Sequence, residues 1–571
     1  MAGRVTVNAE SPVESCMESP APGAPGRAGL AILLASGFLL FFWRLGSHDL
    51  WPPDEPRFAL VAQEMWSRGD YSVLSRNNQL YTDKPPLFFW AINGFGRLLG
   101  GIDEWAARLP SAVAALLAMF LIARLGGWLY DRRTGLIAAL VFATSLQIVA
   151  RGRWASIDMT LNLFVLAAIL LLWRGRVRPG TRAASFRAAW VMMGLATLAK
   201  GPVGLVLPLL AVVPACLIER DFRTARRMFL PSGLALFLLV TLSWFGLFMF
   251  RLGPQDAIEV LLHQNVERYV SAWNSAHPVW YYLWRFPAGF FPWIVFLPWG
   301  VAQAFAADEK ERRGAARFLV TWMAAILLFF SFSTGKRGVY IIPLYPAAAI
   351  LVARLLARAS RMAGSAADPA GGPAGEPTGA RAARRRLRAP VWIWAGVALL
   401  LAVALPVAAR RHHAEFASVA AGLGVLFAAG ALAAAVLHAR GRGAGAVAAL
   451  IGSLFLIVLV ATEGLLPRVN RYENIRGFAD LVRQNLQPGA PFATTEEKRD
   501  AWVFYTGRFA EETDTPEAIV EYLARDGPRD LLIEDDLLRR IDLAGALGVV
   551  EVLRGTVAGH SVHLLRKEGA R

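Results

Sequence analysis

Long apolar runs separated by polar loops dominate this chain of 571 residues. With their flanking residues, these runs lie at 30–42, 105–129, 134–150, 157–173, 188–199, 202–218, 228–250, 286–306, 315–333, 338–357, 391–409, 416–438 and 444–466. An apolar α-helix of about 20 residues spans the roughly 30 Å hydrocarbon core of a bilayer. The pattern therefore predicts a polytopic α-helical membrane protein with about 13 transmembrane helices.

The composition agrees with that class. Hydrophobic residues make up 56% of the chain and charged residues 18%, and the mean hydropathy is +0.42. A soluble domain carries roughly a quarter charged residues, so these values exclude a disordered chain, a coiled coil and an ordinary cytosolic enzyme. Cys16 lies in a polar leader and Cys216 in an apolar run, so we expect no structural disulfide.

The placement of arginine and lysine predicts the orientation in the membrane. The net charge is +17, and the basic clusters at 132–133, 174–187, 220–227, 310–317 and 381–388 fall in alternate loops. The positive-inside rule places those loops in the cytoplasm. Counting spans from them puts the N-terminus inside and the loop 46–104 outside. If the apolar segment 85–99 crossed the membrane, the basic pair at 132–133 would fall outside and the alternation of inner and outer loops would fail. We therefore predict that this segment is an interfacial helix on the outer surface.

Four regions follow from these patterns. Residues 1–27 are rich in Pro, Gly and Ser and predict a disordered cytoplasmic tail. Residues 28–466 form the predicted transmembrane core, which includes the outer loop 46–104 and a flexible cytoplasmic linker at 359–389. Residues 467–571 alternate helix-like segments with strand-like segments at 530–533, 549–553 and 561–565, and they predict an α/β domain outside the membrane. Residues 468–571 contain 15 basic and 18 acidic residues, so the excess of positive charge belongs to the membrane part.

The outer loop carries adjacent carboxylates and a lysine beside prolines. In HDLWPPDEPRF, Asp54 and Glu55 are expected in extended backbone before a helix at about 57–68. Helix capping is the alternative explanation for this pair. In LYTDKPP, Asp83 and Lys84 precede the interfacial helix, and simple snorkelling to the headgroups is the alternative for the lysine.

Further polar residues face the same predicted side: Asp158, Lys200, His263, Arg268 and Lys336, with Tyr340 at the start of the next helix. The positive-inside rule disfavours outer cations, so a specific anion is expected there. Cations that hold a phosphate, with a carboxylate that takes a proton from an incoming hydroxyl, suit a reaction on a phosphate-bearing lipid. The sequence has no Gly-rich phosphate loop, zinc-type Cys/His spacing or nucleophile elbow, so nucleotide-dependent chemistry is not indicated.

Several segments resemble the polyprenyl-phosphate-dependent glycosyltransferases of the integral-membrane GT-C type. The resemblance points to the bacterial aminoarabinose (lipid A) transferases, which are similar in turn to protein O-mannosyltransferases. The matching segments are DEPRFALVAQEM, LYTDKPPLFFW, EWAARLPSAVAAL, the Asp158 region, LAKGPVGLVLP, HQNVERY, HPVWYY and KRGVYIIPLYP. They cover most of residues 45–350.

The resemblance implies roles for individual residues. Asp54 matches the catalytic base, Asp158 a second carboxylate near the site, and Lys84 a lysine that binds the lipid phosphate. Around the same cavity it implies Arg57, Tyr81, His263, Arg268 and Tyr340. We add Glu55 to the catalytic candidates, and Lys200 and Lys336 to the donor-binding ones. Asp83 stands where the family often has a Glu that helps a histidine to bind a metal, so Asp83 and His263 are the metal candidates of an otherwise unassigned site.

The implied reaction transfers a sugar from a polyprenyl-phosphate donor, with inversion, to an acceptor at the outer face of the bacterial inner membrane. Lipid A, another glycan and a protein remain open as acceptors. A divalent metal is the one cofactor left open, and no nucleic acid partner is expected. A transporter of polyprenyl lipids or ions is the main alternative, but the two repeated halves with interrupted helices typical of transporters are not seen. A structural assembly protein would not explain the loop 46–90.

Overall fold

The computed structural model describes residues 25–253, 255, 277–361, 378–495, 498–541 and 548–568. Within these ranges, eight helical segments are long and apolar enough to cross a membrane: Glu104–Leu129, Ile157–Val177, Phe222–Leu252, Ala307–Phe332, Gly338–Ala359, Arg381–His412, Ala414–Ala439 and Gly443–Asn485. A further candidate is a pair of helices, Arg132–Ala143 and Leu146–Arg153, bent by 68°.

Each of the predicted apolar runs coincides with a helix or a broken helix. The α-helices of this part are Arg27–Gly37, Glu104–Leu129, Arg132–Ala143, Leu146–Arg153, Ile157–Val177, Arg182–Lys200, Val203–Ile218, Phe222–Met228, Pro231–Leu252, Tyr281–Gly289, Leu297–Ala304, Arg313–Phe332, Tyr345–Ala359, Thr378–His412, Ala417–Ala439 and Gly443–Val460. The predicted polytopic helical fold is confirmed, and the number of spans stays a prediction.

The helix Tyr345–Ala359 lies at the centre of the helical part and is buried along nearly its whole length. Such a helix is apolar on all sides because it has no face toward water or lipid. Its one buried charge, Arg354, is neutralised by two carboxylates. Arg354 Nη1 lies 2.6 Å from Asp131 Oδ2, and Arg354 Nε donates to Glu309 Oε1 over 3.0 Å. Pairing of this kind makes a buried arginine tolerable.

Glycine permits close helix approach where the bent pair begins. A Cβ added to Gly135 would lie 2.1 Å from the carbonyl oxygen of Ala123, and one added to Gly126 would lie 2.9 Å from the Gly135 Cα. Small residues allow helix backbones to pack this closely in membranes. Any larger side chain at these two positions would force the helices apart.

The chain divides into two compact units. One comprises 1–43, 112–152 and 157–459, and the other comprises 44–111, 153–156 and 460–571. The predicted outer loop 46–104 thus belongs with the C-terminal domain rather than with the transmembrane core. Polar contacts within the second unit explain this grouping. Asp49 Oδ2 accepts from the backbone N–H of Arg476 over 3.0 Å, and the Leu50 N–H donates to Tyr505 Oη over 2.7 Å.

The second unit contains the predicted α/β domain. Its helices are Asp54–Arg68, Leu87–Leu99, Leu466–Glu473, Ile475–Asn485, Arg499–Thr506, Pro516–Ala524 and Asp535–Leu538. Its strands are β1 (Ser75–Arg76), β2 (Gln79–Leu80), β3 (Phe492–Thr494), β4 (Glu511–Glu512), β5 (Arg529–Glu534), β6 (Val549–Val557) and β7 (His560–Lys567). β1 and β2 form a hairpin, and the other five make one sheet in the order β4-β3-β5-β7-β6.

The sheet is mixed. β3 pairs in parallel with β4 and β5, whereas β7 pairs antiparallel with β5 and β6. Buried Ile519 and Leu523 from the helix Pro516–Ala524 pack with Leu531 and Ile533 of β5 and Leu565 of β7 to form the core. Strands predicted at 530–533, 549–553 and 561–565 are confirmed.

Two regions differ from the sequence expectation or lie outside the described residues. The helix Thr378–His412 begins inside the predicted linker 359–389, so the last third of that linker is helical. Alanine and arginine, which dominate 379–388, are strong helix formers, and this explains the difference. The rest of the linker, 362–377, and most of the predicted disordered tail, 1–24, lie outside the described part of the chain.

Candidate active site

The first helix of the outer loop begins at Asp54, not at residue 57. Pro53 has φ −91° and ψ −19°, so the expectation of extended backbone at Asp54 and Glu55 is wrong. Proline is accepted in the first turn of a helix because the N–H it lacks has no partner there, and Pro56 occupies such a position. Both carboxylates therefore lie at the positive end of the helix dipole.

The two neighbouring carboxylates have different surroundings. Asp54 is partly exposed, whereas Glu55 is buried. Glu55 accepts two hydrogen bonds from Arg108, with Nε–Oε1 at 2.7 Å and Nη2–Oε2 at 2.9 Å. It also accepts from the backbone N–H of Trp51 over 3.1 Å and of Ala155 over 2.9 Å. Burial opposes ionisation of Glu55, but the Arg108 guanidinium holds the pKa of this carboxyl below its usual value.

Arg108 was not identified from the sequence. It lies in EWAARLPSAVAAL, and its side chain has no exposed surface. Beyond Glu55, it donates to the backbone carbonyls of Leu45, His48 and Asp49. The sequence could have pointed to Arg108, because a charged residue near the start of an apolar helix needs a buried partner of opposite charge.

Arg57, a predicted donor-binding residue, contacts a residue of the C-terminal domain. Its Nε lies 3.4 Å from Asp500 Oδ2, and Arg76 Nε lies 2.7 Å from Asp500 Oδ1. Sequence reasoning identified neither Arg76 nor Asp500. More than 420 residues separate these two in the chain, so no local pattern could connect them.

Tyr81, at the start of the segment 81–84, lies close enough to this arginine pair for both charges to act on its hydroxyl. Tyr81 is buried, and its ring packs edge-on against Phe89 with centroids 5.9 Å apart. Burial, and after it the negative charge of Asp83, raises the pKa of Tyr81, so the hydroxyl stays protonated. Lys84 is partly buried, and its Nζ donates to the Asp83 carbonyl oxygen over 2.9 Å.

Three of the predicted residues come together in the helical unit. Asp158 is the second residue of the helix Ile157–Val177, and Lys200 is the last residue of Arg182–Lys200. The two side chains form an ion pair. The ammonium of Lys200 also lies 4.5 Å from the centre of the Tyr340 ring, which is within cation–π range. Each charge sits at the helix end whose dipole favours it, so the pair also has a purely structural explanation.

The remaining predicted residues have other surroundings or are not described. Lys336 is buried, and its Nζ donates to the carbonyl oxygens of His277, over 2.8 Å, and Ser333. His263 and Arg268 lie outside the described residues. Among the residues that are described, no three His, Cys, Asp or Glu side chains are grouped to hold a metal ion. The metal site at Asp83 and His263 stays a prediction.

Comparison with known proteins identifies relatives of this chain. The family of dolichyl-phosphate-mannose-protein mannosyltransferases matches residues 83–245, a segment that contains Lys84, Asp158 and Lys200. An undecaprenyl phosphate-alpha-4-amino-4-deoxy-L-arabinose arabinosyl transferase from Erwinia tasmaniensis is 30% identical over 331 residues, which is 57% of this chain and 58% of that protein. A protein of the same name from an Enterobacter species is 29% identical over 336 residues, or 57% and 59% of the two chains. The matches thus span less than two thirds of these relatives.

The fold is also found in a solved structure. The crystal structure of ArnT from Cupriavidus metallidurans bound to undecaprenyl phosphate matches with a TM-score of 0.79, at 24% identity, over 96% of this chain and 100% of that one. The chain has the GT-C fold. Because the match covers nearly the whole chain, the GT-C fold here includes the C-terminal sheet domain. The predicted fold class and the predicted family resemblance are confirmed, and the protein is a multi-pass membrane protein.

Proposed function

We propose that this protein is a glycosyltransferase of the bacterial inner membrane that transfers 4-amino-4-deoxy-L-arabinose from undecaprenyl phosphate to lipid A. The observation that carries the proposal is the 30% identity over 331 residues to a transferase named for this donor. The outer residues add chemical support. An ionisable carboxylate at a helix start and several cations suit transfer from a lipid phosphate.

In the proposed reaction, an acceptor oxygen attacks the anomeric carbon from the face opposite the phosphate. The bond between that carbon and the phosphate oxygen breaks, and its electron pair leaves with undecaprenyl phosphate. Asp54 takes the proton of the acceptor oxygen, and the anomeric configuration inverts. Glu55 has its oxygens occupied by Arg108 and two backbone N–H groups, so we assign it to positioning the first helix turn rather than to proton transfer.

Cations stabilise the phosphate as negative charge develops on it, which is commonly a large term in catalysis of this type. Lys84 is the proposed first contact, because it is a partly buried ammonium in the outer segment, and an ammonium pairs readily with a phosphate oxygen. Asp158 neutralises Lys200 in the structure, and we assign this aspartate to holding the lysine in place. The active site faces the periplasm in this proposal, as the positive-inside rule predicts.

Reconstitution tests the proposed function. Wild-type protein in proteoliposomes should convert lipid A to its aminoarabinose-bearing form when given undecaprenyl phosphate-aminoarabinose, and mass spectrometry of the extracted lipid detects the added sugar. Undecaprenyl phosphate without the sugar is the control donor and should leave lipid A unmodified. Transfer to a protein or another glycan, with lipid A unmodified, would refute the acceptor. Movement of the donor across the bilayer without any transfer would instead support the transporter.

The role of Lys84 gives a separate prediction. Lys84→Ala should weaken the binding of undecaprenyl phosphate about ten-fold or more, because a charge-assisted hydrogen bond to phosphate is lost. Binding is measured by native mass spectrometry or by displacement of a fluorescent polyprenyl phosphate. Lys567→Ala, at the end of β7, is the matched control and should bind as wild type. An unchanged donor affinity in Lys84→Ala would rule out this contact.

A further inference from the structure

Two arginines of the outer segment share one carboxylate from the C-terminal domain. Arg57 and Arg76 approach the two different oxygens of Asp500. The arginine side chains are 27% and 29% exposed, whereas Asp500 is 11% exposed. One carboxylate cannot neutralise two guanidinium groups, so one positive charge of this arginine pair is not neutralised by Asp500.

Both arginines use only Nε to hold Asp500. A guanidinium has five N–H donors, and four of them are on the two Nη atoms. Within the described part of the chain, the structure gives neither Arg57 nor Arg76 a second hydrogen bond. The Nη groups of two fixed guanidinium groups are the donors that bind phosphate oxygens in bidentate fashion.

The backbone that carries Arg76 is firmly held. Asn77 and Asn78 both have left-handed conformations, with φ 52° and 63°, which is the type I′ turn favoured in two-residue hairpins. Buried Glu64 accepts from the Asn78 N–H over 3.3 Å, and Asn77 Nδ2 donates to the Ala510 carbonyl over 2.7 Å. The hairpin is thereby fixed both to the first helix and to the C-terminal domain. This hairpin holds the backbone of Arg76 in one position. Such fixing favours a role of Arg76 in ligand binding over that of a solvated surface charge.

A buried hydroxyl completes the cluster. Tyr81 is 5% exposed, and its Oη has no hydrogen-bond partner among the described residues. The charge of Asp83 acts on this hydroxyl, and so do the charges of Arg57, Arg76 and Asp500. A buried hydroxyl without a partner is unfavourable, and a ligand oxygen that accepts its proton in a hydrogen bond would remove that cost.

We propose that Arg57 and Arg76, held by Asp500, bind a phosphoryl group of a lipid substrate. The inference rests on the proposed function and extends it to two residues, Arg76 and Asp500, and to the C-terminal domain. Asp500 acts as a positioning residue, because it aligns both guanidinium groups without touching the ligand. Undecaprenyl phosphate and the phosphorylated acceptor, lipid A, both carry the required group, and the experiment separates them.

The test measures binding rather than turnover. Full-length protein in nanodiscs is titrated with undecaprenyl phosphate, undecaprenol, lipid A and dephosphorylated lipid A. Arg76→Gln should weaken the binding of one phosphorylated lipid about ten-fold or more and leave both phosphate-free lipids unaffected. Arg525→Gln, which removes an exposed arginine paired with Glu511, is the matched control and should bind all four lipids as wild type does.

Asp500→Asn tests the positioning role, since it removes the shared anchor and leaves two arginines that repel each other. Asp500→Asn should weaken the binding of the same phosphorylated lipid whose binding Arg76→Gln weakens. Wild-type affinity of Asp500→Asn for that lipid would overturn the role of Asp500. Wild-type affinity of Arg76→Gln for both phosphorylated lipids, or an equal loss for undecaprenol, would overturn the site. If Arg76→Gln does not fold, Arg76→Lys replaces it. This variant keeps the positive charge but lacks the paired N–H donors of the guanidinium group, and wild-type affinity for both phosphorylated lipids would again overturn the site. Failure of the proposed function is recognised separately, as binding by the wild type without sugar transfer.

Discussion

Replacing Asp54 by asparagine should lower the rate of sugar transfer on the order of a thousand-fold, since general base catalysis typically contributes 10²–10⁴-fold. Asparagine has the same shape and cannot accept the proton of the acceptor oxygen. Because the substitution keeps the size of the side chain at an only partly buried position, the helix Asp54–Arg68 should form as before. Turnover is followed by mass spectrometry of lipid A with saturating donor.

The control for this variant is Asp480→Asn, which changes an exposed aspartate in the helix Ile475–Asn485 and should retain full activity. Undecaprenyl phosphate should bind to Asp54→Asn with wild-type affinity, because the proposed role of Asp54 concerns the acceptor. Turnover near the wild-type rate would remove Asp54 from the mechanism. A loss of donor binding would show instead that Asp54 acts in forming the site.

The second large effect is expected at Arg108. Arg108→Met should destabilise the protein by about 3–5 kcal/mol, because it leaves the Glu55 carboxylate buried without its counter-ion. The unfolding midpoint of the detergent-solubilised protein, followed by tryptophan fluorescence, reports the change. Arg483→Met is the control, since this arginine forms an exposed i,i+3 pair with Asp480 that is worth about 0.5 kcal/mol or less.

The pH dependence of this variant follows from the direction of the Glu55 pKa. In the wild type this pKa is below its ordinary value of 4.5, so the pair stabilises the fold above that pH and is lost as pH falls through the lowered pKa. In Arg108→Met, the guanidinium no longer opposes the effect of burial, so the pKa of the Glu55 carboxyl rises and protonation relieves the penalty as pH falls. The stability difference between the two proteins should therefore shrink as pH falls. A difference that stays constant with pH would show that Glu55 is not the origin of the loss.

The apolar runs predicted the helices well because a membrane span is a local property of about 20 consecutive residues. The strands of the C-terminal domain were likewise predicted from local alternation. The start of the first outer helix was not, because three prolines suggested an extended chain whereas Pro56 is acceptable inside a first helical turn. The flexible linker was predicted too long for a similar reason. Its glycine and proline content suggested a flexible chain throughout, whereas the alanine and arginine at its end favour a helix.

The partners of the site residues could not be predicted from local sequence. Glu55 and Arg108 are 53 positions apart, and Arg76 and Asp500 are 424 positions apart. Such pairs are set by tertiary packing, which a single sequence does not encode in any short pattern. The sequence therefore named residues with the right chemistry, such as Asp158 and Lys200, and gave no indication that these two are joined to each other.

The second compact unit is assembled from three separated stretches of chain, and this has a consequence for biosynthesis. A ribosome delivers residues 44–111 and 153–156 long before residues 460–571. Arg108 can reach Glu55 early, but Arg57 and Arg76 must wait for Asp500 until the last part of the chain has been made. A nascent or truncated chain would thus expose two uncompensated arginines and an unsupported hairpin. We expect chains that end before residue 500 to be recognised by the protein quality-control machinery even when all their membrane helices are in place.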